Sequence, residues 1–149
     1  MAMERDWGKF QLAVYGALTV ASVAYWVYYV VVLYPQLSIS YVYWPYYLLE
    51  FLVQPLFYTV FSALLAGALR RTGKLCFARK TQRILFSAAA VLLALYGLGF
   101  LLMLLGGEAL RAWYAITVLP MVFHHEELFL IPGVLWGLGV PGLDEQRDY

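Results

Sequence analysis

Residues 84–105 read ILFSAAAVLLALYGLGFLLMLL, 22 consecutive positions without a charged side chain. As a helix, that stretch covers about 33 Å, close to the ~30 Å hydrocarbon core of a bilayer. Gly106-Gly107 ends it. Whole-chain composition points the same way: 64% of the 149 residues are hydrophobic and 13% are charged. A soluble domain carries roughly 25% charged residues, and one this small has too little interior to hide so much apolar surface. The chain therefore reads as a single all-α domain of a polytopic membrane protein.

Immediately before that segment, Arg70, Arg71, Lys74, Arg79, Lys80 and Arg83 occur with no acidic residue among them. Six of the ten basic residues fall in this one connection. Such clustering marks a cytoplasmic loop, here residues 70–83. Upstream of it, a span is expected over 45–69, with Pro45 harmless in the first helical turn and Pro55 kinking the helix. A first span is expected over 10–34, separated from the second by Pro35 and the polar Gln36, Ser38 and Ser40. Its length, its aromatic content and the acidic Glu4 and Asp6 distinguish it from a cleaved signal peptide, so it should be retained.

Downstream, residues 112–140 are flanked by Trp113-Tyr114 and Trp136, as an aromatic belt would be. The two tryptophans would lie roughly 34 Å apart on a continuous helix. Four transmembrane helices in an antiparallel bundle follow, with both termini cytoplasmic and residues 35–44 and 106–111 facing outward in the cell membrane. Small residues recur at four-residue spacing, as Ala13, Ala17 and Ala21 and as Gly133 and Gly137, which lets helix backbones approach closely.

Three groups of residues are candidates for function. The first is an outer aromatic surface formed by Tyr25, Trp26, Tyr28, Tyr29, Tyr43, Trp44, Tyr46 and Tyr47. Such rings anchor a helix at headgroup depth, and they also build interfaces with a lipid, a quinone or a neighbouring subunit. The second is Glu50, a carboxylate a short way inside the second span. It could pair structurally, for instance with Arg111, or hold a ligand or a proton.

The third is the run His124, His125, Glu126 and Glu127 in the middle of the last segment. Two mid-helix carboxylates cost on the order of 5 to 7 kcal/mol on an insertion scale, and the eleven Leu, Ile, Val and Phe residues between the tryptophans return only about 5. Successive residues on a continuous helix also point around its whole circumference, so His124 and Glu127 would face one way and His125 and Glu126 the other. The segment could be sandwiched between its own bundle and another subunit. It could be broken, ending near Phe123 and resuming after Pro132. It could also use His124 and Glu127 to relay protons or bind a metal, although a single His-x-x-Glu is a weak metal motif.

A net charge of +1 argues against nucleic-acid binding, and the lone Cys76 excludes an internal disulfide or a cysteine-based cluster. No complete catalytic set or cofactor motif is present, so no cofactor is predicted. The expected function is that of a non-catalytic accessory or structural subunit of a larger membrane complex, such as a respiratory or transport assembly. Its expected partners are membrane lipids and either other membrane subunits or further copies of itself. The alternative is a self-sufficient small transporter or membrane enzyme using the intramembrane His and Glu residues. A regulatory anchor acting through the basic loop and anionic lipid ranks third.

Overall fold

The computed structural model describes residues 2–40, 44–109, 111–113 and 125–141. Helix α1 (Ala2–Tyr28) leads through a π-helical turn (Tyr29–Leu33) into α2 (Tyr34–Ser40). Helix α3 (Trp44–Leu48) and a second π turn (Leu49–Val53) lead into α4 (Gln54–Arg71). Helix α5 (Arg79–Leu105) follows, and a 3-10 turn (Glu126–Phe129) opens α6 (Leu130–Gly139). Among the described residues there is no strand.

Three helical stretches are long and apolar enough to cross a membrane: Gly8–Leu37, Trp44–Arg71 and Arg79–Leu101. They overlap the spans expected over 10–34, 45–69 and 84–105. The fourth expected span differs. His125 has φ −140° and ψ 46°, outside the helical region, so no continuous helix runs through it. The α-helix that follows has 10 residues, or about 15 Å, half a bilayer core.

Prolines explain both π turns. A proline has no N–H, and its ring crowds the carbonyl four residues earlier. Each π turn ends two residues before one, at Leu33 before Pro35 and at Val53 before Pro55. In each, the residue preceding the proline donates five residues back, Tyr34 to Tyr29 and Gln54 to Leu49. The wider turn accommodates the ring, and the helix continues past it. Pro35 thus lies inside the first helical stretch instead of dividing it from the next. At Pro55 the expected disruption takes the form of the π turn just before it.

The Phe51 carbonyl, four residues before Pro55, accepts a hydrogen bond from the Tyr96 hydroxyl at 2.7 Å. This ties α5 to the second π turn. Tyr96→Phe is expected to cost about 1–3 kcal/mol by removing this hydrogen bond to a carbonyl of a buried residue. Unfolding in detergent checks it, and the loss should shrink when Pro55→Ala returns a local N–H donor.

The helices form a layer in which α6 lies between α4 and α5, and α1 covers the other flank of α4. Helix α6 runs parallel to α4: Gly133 abuts Thr59 and Ser62, Gly137 abuts Ala63 and Ala66, and Val140 lies beside Arg70. It runs antiparallel to α5, because Gly139 abuts Phe86 and Gln82 while Phe129 packs on Tyr96 with ring centroids 4.7 Å apart. A β-carbon at any of these three glycines would collide with the neighbouring helix, so the small residues decide how deeply α6 seats. Ala13, Ala17 and Ala21 on α1, in contrast, are exposed.

Helix α1 runs antiparallel to α4. Trp136 Nε1 donates to the Tyr15 hydroxyl at 2.8 Å near one end, and Tyr25 donates to the Pro45 carbonyl at 3.3 Å near the other. The start of α1, the end of α6 and the connection between α4 and α5 consequently share one end of the layer.

Candidate functional site

Arg70 does not belong to a solvated loop. Helix α4 continues through Arg71, and the Arg70 side chain is 1% exposed. Its Nη1 donates to the Leu138 carbonyl at 2.9 Å and to the Val140 carbonyl at 2.6 Å. The last turn of a helix leaves carbonyls without intrahelical partners, and a guanidinium supplies both donors and a charge that suits the helix C-terminus. Arg70 therefore fastens the end of α6. Lys74, Arg79, Lys80 and Arg83 are exposed, and Arg71 is half-buried.

At the opposite end of α6, the His125 Nδ1 lies 3.5 Å from the Glu127 carboxylate. Both side chains stand out from the protein, 60% and 65% exposed. Glu126 opens the 3-10 turn, and His124 lies outside the described residues. The contact thus joins His125 to Glu127, not the residues three apart that a continuous helix would align. No group of three or more His, Cys, Asp or Glu residues able to hold a metal occurs among the described residues.

The depth of this pair follows from its neighbours. Thr59 Oγ1 donates to the Phe129 carbonyl at 3.4 Å. Thr59 lies 15 residues after Trp44 and 12 before Arg71 (59 − 44 and 71 − 59), the two ends of the long α3–α4 stretch. Those arms are about 22 Å and 18 Å long. Helix α6 therefore begins near the middle of the layer, with His125 and Glu127 well inside its thickness.

Glu50 sits on the second π turn, partly buried, and its Oε1 accepts a hydrogen bond from Gln54 Nε2 at 3.3 Å. Arg111 is exposed. Gln54 carried no signal in the sequence beyond being a polar residue in an apolar run, yet it is 6% exposed.

The aromatic group divides. Tyr29 is buried with Leu49 and Val53, and Tyr25, Trp26 and Tyr46 pack against that cluster, joining α1 to the second helical stretch. Trp26 also meets Phe57 edge-on at 6.1 Å. Tyr28 and Trp44 remain exposed, Tyr47 lies on α3, and Tyr43 lies outside the described residues. Much of the group is thus internal packing. Comparison with family models, with curated proteins and with solved structures gives no match.

Proposed function

We propose that this is a multi-pass integral membrane protein acting as a non-catalytic accessory or structural subunit of a larger membrane assembly, of the respiratory or transport kind. One observation carries the reading: the exposed His125–Glu127 pair lies just before a helix that begins beside Thr59, near the middle of a layer whose long helices are apolar. Hydrocarbon cannot hydrogen-bond these groups, and charged side chains at that depth face protein or a water-filled cavity. A further protein surface, from another subunit or a second copy, would cover them.

The basic connection supports a cytoplasmic placement for its end of the layer. Both the start of α1 and the end of α6 share that end, in keeping with cytoplasmic termini. The exposed Tyr28, Tyr34 and Trp44 at the far end suit an outer interfacial belt.

Extraction in mild detergent tests the proposal. The chain is expected to elute in stoichiometric association with other chains or with itself, and a cross-linker at position 127 should capture that neighbour. A stable, monodisperse monomer would sink the idea. The non-helical backbone at His125 favours a second reading, a small transporter whose polar path passes the start of α6, since irregular backbone inside a membrane lines such paths. That reading requires ion flux in liposomes holding this chain alone, lost in Glu127→Ala.

A further inference from the structure

Helix α5 begins in the basic connection, and what it buries fixes which way it faces. Gln82 and Ala89 are buried, and Phe86 packs on Trp136 of α6 with ring centroids 4.5 Å apart. Gln82 Nε2 also donates to the Phe77 carbonyl at 2.8 Å, which ties the start of the helix to the connection before it. Successive helical residues turn by about 100°. Lys80 therefore falls almost opposite Gln82, on the side turned away from α6, with Arg83 next to it around the helix. Both are exposed, as are Lys74 and Arg79.

One turn further into the span the same face becomes apolar. Ile84, Val91 and Leu95 follow Lys80 within about 60° of its direction around the helix, and each is more than half exposed. From Ile84 to Leu95 is about 16 Å along the axis, the depth of one leaflet of a ~30 Å core. Cations above an apolar stripe one leaflet deep are the complement of a phospholipid with a negative headgroup. We infer that this face of α5 binds an anionic phospholipid, with Lys80 and Arg83 on the phosphate and an acyl chain along Ile84, Val91 and Leu95. Long basic side chains lay their stems on apolar surface while keeping the charge at the interface, and phosphate oxygens accept charge-assisted hydrogen bonds from them.

Charge at this end of the layer favours an anion whichever way the terminal segments lie. Those segments and the connection hold nine of the ten basic side chains, all except Arg111, but only five of the nine acidic ones, Glu4, Asp6, Asp144, Glu145 and Asp148. A free phosphate would meet the cations and leave the stripe unused, whereas a phospholipid meets both. The inference needs the chain to cross a membrane. It does not need the subunit role proposed above, because it engages the face of α5 turned away from α6 and not His125 and Glu127.

Native mass spectrometry of the full chain in mild detergent tests this, with phosphatidylglycerol and phosphatidylcholine of the same acyl chains offered together. Preferential retention of phosphatidylglycerol is expected. Each cation at an anionic lipid surface contributes about fivefold in affinity, so Lys80→Gln should lower the preference by about that factor, and Lys80→Gln with Arg83→Gln by roughly tenfold or more. Lys9→Gln removes an exposed charge from the same end of the layer but from α1, and it should leave most of the preference. Inorganic phosphate should not displace the lipid, since it has no chain for the stripe. Thermal unfolding in the same detergent should be unchanged in these exposed variants, so that lost lipid is not lost fold. Equal retention of the two lipids by folded wild type overturns the inference. So does an equal loss in Lys9→Gln and Lys80→Gln, which would mean a diffuse field, or displacement by inorganic phosphate, which would mean an anion site without a lipid.

Discussion

Replacing Arg70 with alanine is expected to free α6 from the helical layer and to lower stability by about 3 kcal/mol or more. The guanidinium is buried and serves two carbonyls at the end of α6, Leu138 and Val140. Hydrogen bonds to charged groups contribute about 1.5–3 kcal/mol each, and the carbonyls left behind would be buried without donors. The chain turns to extended backbone at Val140, whose N–H closes the final helical bond to Trp136, so the helix cannot supply replacements. Arg70→Lys should recover part of the loss, because an ammonium keeps the charge but not the planar fork. Thermal unfolding in detergent measures the effect. Hydrogen exchange localises it, and wild-type protection over residues 133–140 in Arg70→Ala would refute the anchoring role.

Enlarging the glycines of α6 is expected to be comparably severe. A β-carbon at Gly133 would run into the Thr59 carbonyl and the Ser62 hydroxyl, and one at Gly137 into the Ala63 carbonyl. Backbone atoms cannot rotate away, so Gly133→Leu and Gly137→Leu should push α6 off α4 at a cost of about 3 kcal/mol each. Gly97 on α5 provides the control, since a β-carbon there meets nothing within 4 Å. Gly97→Leu should be neutral or slightly stabilising, because leucine is the better helix former. Equal losses at all three positions would mean that the close packing of α6 on α4 does not govern them.

These two results bear on how α6 is held, and through it on the candidate site. Helix α6 is too short to span a bilayer, and it seats beside α4 by way of Gly133, Gly137 and the Arg70 clasp. That seating sets the depth of His125 and Glu127. If either contact is lost, the polar pair should change its accessibility even where the three long helices persist.

Much of this was legible in order along the chain. The uncharged run 84–105 and the apolar runs before it announce long helices, because hydrophobic length is a property of contiguous residues. The insertion deficit around His124–Glu127 likewise flagged the last segment, and His125 has non-helical backbone. Less could be read at the prolines. Pro35 looked like a boundary, but the compensating π turn depends on hydrogen bonds shifting by one residue, which composition does not reveal.

What only the tertiary structure decided is which faces meet. Arg70 read as one more loop cation, and the contact that makes it a clasp joins residues 70 positions apart. Tyr29 read as part of an outer surface, yet α1 folds it against the second π turn. Gln54 acquired meaning only when packing buried it against Glu50. By itself, then, the sequence determined a helical chain with three apolar stretches of membrane length, since local runs of side chains dictate that. Where its few polar groups lie, and what they touch, was decided by packing, because a polar group's energy depends on the neighbours that distant segments bring to it.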